Sequence, residues 1–126
     1  MLVHLDTSVL VDAFTGAQRS MPALQRATAH GDVASFCTIA LYEWLRGPRT
    51  DEERHTVGAF FAHDVTAVFG PREAARAADL FRQVKRARQR HADLAIAACA
   101  IEARASLWTL NRDDFRDIPG LTLFDR

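Results

Sequence analysis

Short apolar runs alternate along this chain with longer amphipathic stretches. Apolar runs bounded by turn-forming residues predict buried strands at residues 2–5, 33–37, 65–69, 107–110 and 121–124. The stretches between them predict helices at residues 9–14, 20–30, 38–46, 51–61 and 92–103, with another long helix that begins at residue 71. Strands that alternate with helices in this way indicate an α/β/α sandwich with a central, mostly parallel sheet of four to five strands.

Capping signals and periodicity refine this outline. Ser20 and Thr38 each precede a predicted helix and are expected to act as N-caps. The segment 92–103 is apolar around its whole circumference apart from Asp93 at its start, which predicts a helix buried in the interior. The long helix from residue 71 ends in a basic stretch, where Arg82, Arg86 and Arg90 would share one face at a spacing of four residues.

Composition limits the class of protein. With 126 residues and 48% hydrophobic content, the chain is expected to form one domain, residues 1–126. Sixteen basic residues balance sixteen acidic ones, so binding of a polyanion must depend on local charge. Cys37 and Cys99 lack the spacing of metal ligands and are expected to be buried thiols. The sequence has neither a secretory signal nor an apolar run that could span a membrane, so we expect a cytoplasmic protein.

Four acidic residues occupy positions that a parallel sheet would bring together. Asp6 follows the first strand, Asp114 follows the strand at 107–110, Glu43 lies on the helix after the second strand, and Asp93 begins the apolar helix. The carboxyl ends of parallel strands share one edge, where ligands of open α/β sheets bind. Alternatively, Asp6 caps the next helix and Glu43 is a solvated helix residue.

A cluster of four carboxylates needs cations, because like charges at short range repel one another. Oxygen ligands without a set of cysteines or histidines suit Mg²⁺ or Mn²⁺. Such an ion polarises a phosphoryl oxygen and activates water, which is the chemistry of phosphodiester hydrolysis. The residues therefore predict a metal-dependent nuclease.

Four stretches of the sequence resemble the PIN-domain family, and most closely its VapC-type toxins. These stretches are Leu5-Asp6-Thr7-Ser8-Val9-Leu10-Val11-Asp12, the Glu43 helix ending in Arg46-Gly47, His91-Ala92-Asp93-Leu94-Ala95-Ile96-Ala97 and Thr109-Leu110-Asn111-Arg112-Asp113-Asp114-Phe115. The resemblance covers essentially the whole chain in order. It implies a PIN fold and an endoribonuclease activity that depends on Mg²⁺ or Mn²⁺.

The resemblance also implies residue roles and partners. The acidic quartet of the family falls on Asp6, Glu43, Asp93 and Asp114, although Asp113 is adjacent and could take the place of Asp114. Thr7 or Ser8 and Asn111 would support the acids by hydrogen bonding. VapC-type proteins form homodimers and are neutralised by a small VapB-type antitoxin whose C-terminal segment enters the acidic site.

Two other functions stay open at this stage. A housekeeping RNA-processing nuclease would have the same acids, and a module that binds RNA or a partner could keep the fold without the chemistry. The three arginines at 82, 86 and 90 are candidates for phosphate contacts. The alternative for them is a solvated face whose cations suit the C-terminus of a helix.

Overall fold

Strands and helices alternate over most of the chain in the computed structural model, which describes residues 1–61 and 66–125. The strands are β1 (Leu2–Leu5), β2 (Val33–Ser35) and β3 (Ser106–Trp108). The helices are α1 (Thr7–Phe14), α2 (Met21–Ala29), α3 (Thr38–Arg46), α4 (Asp51–Phe60), α5 (Pro71–Gln83) and α6 (His91–Glu102). Two short 3-10 turns cover Ala87–Gln89 and Arg112–Asp114.

The strands form a parallel sheet in the order β2-β1-β3. His4 of β1 is opposite Ser35 on one side and Leu107 on the other. Because β1 is central, Val3, His4 and Leu5 are all buried. Parallel pairing brings the carboxyl ends of the strands to one edge, and Asp6 is the first residue beyond the end of β1.

The predicted α/β fold with a parallel sheet between helices is confirmed, but the sheet of the described residues has three strands instead of four or five. In place of strands at 65–69 and 121–124 there are isolated parallel bridges, Cys37 with Ala67 and Leu107 with Leu123. Val65 of the first predicted strand lies outside the described residues. The chain leaves the sheet edge directly after Ala67, where Val68 is 67% exposed, so pairing does not continue.

The core lies around α6, as its continuous apolar sequence predicted. Every residue from Leu94 to Ala100 is buried, and α6 packs against α5, α3 and β3. Cys37 and Cys99 are free and buried, which confirms that they are core thiols. Small residues on α6 allow its neighbours to approach closely, so the helix that carries Asp93 is rigidly enclosed.

Of the two predicted N-caps, Ser20 is confirmed in position and Thr38 is wrong. Ser20 is the N-cap residue of α2 but makes no capping hydrogen bond, because its hydroxyl donates to Asp12 Oδ2 at 2.6 Å. Thr38 is the first residue of α3, behind Cys37 at the N-cap, and its hydroxyl accepts the backbone N–H of Phe69 at 3.1 Å. In both cases a distant partner takes the hydroxyl that a local cap would have used.

The long helix predicted from residue 71 ends earlier than its periodicity suggested. Its last residue is Gln83, Arg86 has a left-handed backbone (φ 53°), and Arg90 precedes α6. The expectation that Arg82, Arg86 and Arg90 share one helical face is therefore wrong. The left-handed residue Arg86 separates Arg82 from Arg90, whose side chain binds Asp117 and the carbonyls of Lys85 and Asp114.

No helix within residues 1–61 and 66–125 combines the length and the apolar character that crossing a membrane requires.

His4 predicts a loss of stability in acid. It is buried, its Nδ1 atom has no hydrogen-bond partner among residues 1–61 and 66–125, and burial lowers its pKa from 6.5 to about 4. Between these values the unfolded chain binds a proton that the folded chain does not, so the free energy of unfolding decreases as pH falls from about 6.5 to about 4. The full loss amounts to about 3 kcal/mol.

The test compares the chemical unfolding of wild type and His4→Leu from pH 7 to pH 4. All other titrating groups are shared, so the difference between the two curves isolates His4. We expect the variant to lose less stability in acid than wild type. Parallel curves would mean that His4 keeps an ordinary pKa in the fold.

Candidate functional site

Asp6 is the best-anchored acid of the site. It is only 4% exposed and is the N-cap of α1, where its Oδ1 accepts the N–H of Thr7 at 2.7 Å. Its Oδ2 accepts the hydroxyls of Ser8 at 2.9 Å and Thr109 at 2.7 Å. The capping role considered from the sequence is therefore present, and the burial of this carboxylate is offset by three hydrogen bonds.

The two hydroxyls that contact Asp6 are themselves oriented by the β3 exit. Ser8 Oγ accepts the N–H of Leu110 at 3.1 Å, and Thr109 Oγ1 accepts the N–H of Asn111 at 3.0 Å. Because each hydroxyl oxygen accepts from the backbone, its proton points towards Asp6. The start of α1 and the end of β3 are joined through this carboxylate.

Glu43 projects from α3 towards the start of α1. Its Oε1 accepts the hydroxyl of Thr7 at 2.6 Å, so one threonine contacts two acids, Asp6 through its N–H and Glu43 through its side chain. Arg46, one turn further along α3, lies 3.7 Å from Glu43 Oε2. Glu43 is partly buried, which distinguishes it from an ordinary solvated helix residue.

Asp93 lies in the first turn of α6 and, unlike Asp6 and Glu43, has no partner among the described residues. No hydrogen bond or ion pair reaches its carboxylate from the part of the chain that the structure describes. Burial, and after it the charges of Asp6, Asp114 and Glu43, raise its pKa from 3.8 to about 6, while Arg90 acts in the opposite direction. The pKa of this half-buried carboxylate therefore depends on the charges of the three other acids.

Asp114 ends the 3-10 turn that follows β3 and is exposed. The neighbouring Asp113 is also exposed and pairs with Arg116 at 3.1 Å. Both line a smaller cavity of about 270 Å³ that Asp93 also lines. The negative charge of Asp114 raises the pKa of Asp93, whereas Asp113 is not among the groups that raise it. This difference favours Asp114 as the fourth acid.

The main cavity, of about 590 Å³, opens at the carboxyl edge of the sheet. Its acidic lining consists of Asp6, Asp12, Glu43 and Asp93. Asp93 lies between this cavity and the smaller one that contains Asp114. The structure thus brings three of the predicted acids to one cavity and places the fourth in an adjoining cavity.

The donor set fits a hard divalent cation in its chemistry. The acids offer oxygen atoms only, and Asp93 has a free carboxylate whose pKa is raised by neighbouring negative charges. A cation would relieve that repulsion. In the present arrangement, however, no three histidine, cysteine or acidic side chains within the described ranges are close enough to hold one ion together. Shared binding requires the side chains to move closer.

Three further residues contribute contacts that the sequence did not reveal. Thr109 donates to Asp6, while Asp12 and Arg19 line the cavity and pair with each other at 3.3 Å. Asp12 was visible only as the end of the first motif, about one helical turn beyond Ser8. Asn111 lines the cavity, and its backbone N–H donates to Thr109 in the network around Asp6. Support of the acids by its side chain stays a prediction.

The three candidate RNA-binding arginines have different surroundings. Arg82 pairs with Asp79 on α5. Arg86 lines the smaller cavity. Arg90 also lies there, but its side chain is 14% exposed and occupied by Asp117, which raises the pKa of the guanidinium.

A parallel sheet between helices, with an acidic cavity at the carboxyl edge, defines an α/β protein whose candidate site suits a hard cation. The chain belongs to the PIN domain family, because the family model described as "PIN domain" matches residues 3–121.

Solved structures share this fold over nearly the full chain. A chain of VapBC2 from Rickettsia felis, bound to a DNA fragment from its promoter, is 21% identical with a TM-score of 0.74 and covers 100% of this chain and 99% of its own. A toxin-antitoxin complex from Klebsiella pneumoniae contains a chain that is 24% identical with a TM-score of 0.75, and the match covers 97% of this chain and 96% of that one. A chain of DNA-bound VapBC from Salmonella typhimurium is 18% identical with a TM-score of 0.76, and the match covers 99% of this chain and 98% of that one. Comparison with curated proteins finds no match.

Proposed function

We propose that this protein is a metal-dependent endoribonuclease that hydrolyses RNA phosphodiester bonds as the toxin of a VapBC-type toxin-antitoxin pair. The observation that carries the proposal is the acidic cavity, which Asp6, Glu43 and Asp93 line and in which the pKa of Asp93 is raised by burial and by the neighbouring acids. A protein does not gain stability from such a cluster, so a function that needs concentrated negative charge explains it best.

In this proposal Asp6, Glu43, Asp93 and Asp114 hold Mg²⁺ or Mn²⁺. The bound ion supplies polarisation of a phosphoryl oxygen and activation of a water molecule for attack on phosphorus. Asp6 keeps a fixed position because Thr7, Ser8 and Thr109 donate to it. The Thr7 hydroxyl orients Glu43. The carboxylate of Asp93, which has no partner in the described part of the chain, is free to adjust towards the ion.

The toxin role rests on the family and on the similar structures, which are VapBC or toxin-antitoxin complexes. Exposed apolar side chains on α3 and α4 support a protein partner, since Tyr42 and Leu45 are 60% and 49% exposed and Phe60 is 37% exposed. We propose that a VapB-type antitoxin covers this surface. We also propose a homodimer in the cytoplasm, as in VapC-type proteins.

Purified protein without antitoxin should cleave a mixed RNA pool in Mg²⁺ or Mn²⁺. Chelation should abolish cleavage, and readdition of the metal should restore it. Gel analysis of 5′-labelled RNA checks this, with DNA of the same sequence as control. Metal-independent cutting would contradict the proposed chemistry.

Two outcomes would favour the alternatives. RNA binding without cleavage in any metal would favour a non-catalytic binding module. Cleavage without inhibition by a short antitoxin encoded next to the gene would favour a housekeeping RNA-processing nuclease.

A further inference from the structure

Two arginines line the acidic cavity beside the candidate metal ligands. Arg19 follows α1 and Arg46 is the last residue of α3. We propose that Arg19 and Arg46 bind phosphates of the RNA strand that flank the bond to be cleaved. This inference rests on the proposed nuclease function and names the residues through which the substrate would be bound.

Both guanidinium groups are exposed and only weakly engaged. The Arg46 side chain is 60% exposed, with Nη2 3.7 Å from Glu43 Oε2. The Arg19 side chain is 81% exposed, with Nε 3.3 Å from Asp12 Oδ1. Exposed pairs of this kind contribute about 0–1 kcal/mol, so a phosphate could take either arginine at little cost. Each arginine is thus held at the cavity by an acid and is available to a stronger anion.

The charge of the cavity makes such cations necessary. Asp6, Asp12, Glu43 and Asp93 line it together with these two arginines, so its net charge is negative before any metal binds. The whole chain carries no net charge that would attract a polyanion from a distance. An RNA strand that approaches the acids therefore needs positive groups at the cavity itself, and Arg19 and Arg46 are those groups in its lining.

Arg46 is also oriented by an aromatic neighbour. Its guanidinium carbon lies 5.4 Å from the centre of the Tyr42 ring, one turn earlier on α3. A cation is attracted to the face of an aromatic ring, and this contact restricts the conformations of the long arginine side chain. The tyrosine thus helps to keep this cation near the cavity.

The other arginines near the acids are alternative candidates for contacts with RNA phosphates. Arg86 lines the adjoining cavity with Asp93 and Asp114, and Arg82 lies nearby on α5 in a pair with Asp79. Arg90 is less suitable, because it is mostly buried and its donors already meet Asp117 and two carbonyls. Arg82 and Arg86 are therefore the rival pair that the experiment must separate from Arg19 and Arg46.

The experiment measures binding of a fluorescein-labelled, single-stranded RNA of mixed sequence by anisotropy from 50 to 200 mM KCl with Mg²⁺. The parent protein is Asp93→Asn, which is expected to bind without cleaving. Arg19→Gln and Arg46→Gln are made in this parent. The affinity falls as salt rises, and each variant should make the slope of log affinity against log salt shallower by about 0.7. This is the value for one phosphate contact to a single strand.

We expect a several-fold loss of affinity for each variant at the lowest salt. The matched control is Arg26→Gln, which removes an exposed arginine from α2 outside the cavity and should leave the slope unchanged. In the wild-type background the two cavity variants should raise KM for RNA cleavage with little change in kcat. Thermal melting confirms that each variant is folded.

The outcomes separate this inference from the function on which it rests. If Arg82→Gln and Arg86→Gln reduce the slope while Arg19→Gln and Arg46→Gln do not, RNA is bound at the adjoining cavity and the inference is overturned. Unchanged slopes in all four variants overturn it as well. If neither the parent nor wild type binds RNA, the proposed function itself fails.

Discussion

Asp93→Asn is expected to lower RNA cleavage at least about a hundredfold while making the metal-free protein more stable at neutral pH. Loss of activity follows from removal of a proposed metal ligand, since even mutation of a residue that only orients such a ligand lowers metal affinity or activity about 10- to 100-fold. Gain of stability follows from the surroundings of Asp93, which has a half-buried carboxylate beside Asp6, Asp114 and Glu43. The amide has nearly the same shape and no charge.

The sign of the stability effect follows from the pKa. Asp93 has a folded-state pKa of about 6, above its ordinary 3.8. Between these values the folded chain holds a proton that the unfolded chain has lost, so the free energy of unfolding decreases as pH rises from about 3.8 to about 6. Above pH 6 the full penalty is present in wild type and absent from the variant. Below pH 3.8 the two proteins should be equally stable.

Thermal melting and RNA cleavage of the same preparations check both effects. Addition of Mg²⁺ should stabilise wild type more than the variant, because a ligand stabilises the state that binds it. Asp125→Asn, an exposed carboxylate outside the site, is the matched control and should change neither property. A variant that melts lower than wild type without metal would mean that the Asp93 carboxylate has a stabilising partner. A variant that cleaves normally would exclude Asp93 from catalysis.

Asp6→Asn would be a less informative substitution. The carboxylate of Asp6 accepts from Thr7, Ser8 and Thr109, so an amide would place two protons where acceptors are needed. An unsatisfied buried group costs about 1–3 kcal/mol, and loss of activity could then reflect local unfolding. Asp93 and Asp6 are both acids of the site, but only Asp6 also holds the fold together.

Patterns that depend on local sequence predicted most of the fold correctly. The apolar run Leu2–Leu5 is a central strand, and the segment from Leu94 to Ala100 is buried because it has no polar face to expose. The order of strands and helices sufficed to place Asp6, Glu43 and Asp93 around one cavity. Parallel topology makes such a prediction possible, because it aligns the ends of the strands.

Features that depend on distant partners could not be predicted. Helical periodicity continues from Arg82 to Arg86 and Arg90, but in the structure the helix ends at Gln83 and Arg90 binds the distant Asp117. Thr109 resembles any strand residue until its hydroxyl is found on Asp6, 103 positions away. The extent of pairing at the sheet edges is likewise set by where the chain turns, which composition does not encode.

Arg90 is expected to act as a positioning residue for Asp114. Its Nη2 donates to the carbonyl of Asp114 and to Asp117 Oδ1, both at 2.6 Å, and its Nη1 donates to Asp117 Oδ2 at 3.0 Å and to the carbonyl of Lys85 at 3.1 Å. One guanidinium thus joins the loop before α6 to the 3-10 turn that carries the fourth acid. The planar, bidentate geometry is specific to arginine.

Arg90→Gln should lower the free energy of unfolding by about 2 kcal/mol, the scale for hydrogen bonds to a charged group. RNA cleavage should fall about 10- to 100-fold, because Asp114 would lose its fixed position. Arg90→Lys should recover part of the stability through its charge and little of the cleavage, since an ammonium cannot make the bidentate contact. Asp117→Asn, which leaves Arg90 in place, should cost less activity than Arg90→Gln.

Two measurements separate positioning from a general loss of stability. Mn²⁺ affinity by isothermal titration should weaken in Arg90→Gln at a temperature where the variant is fully folded. The pKa of Asp93 in metal-free protein, followed by NMR, should rise, because Arg90 lowers it in wild type. The salt dependence of RNA binding should stay the same, since this arginine is committed to Asp117 and the Asp114 carbonyl. A smaller salt slope would instead make Arg90 a phosphate contact and leave Asp114 to be positioned by its own turn.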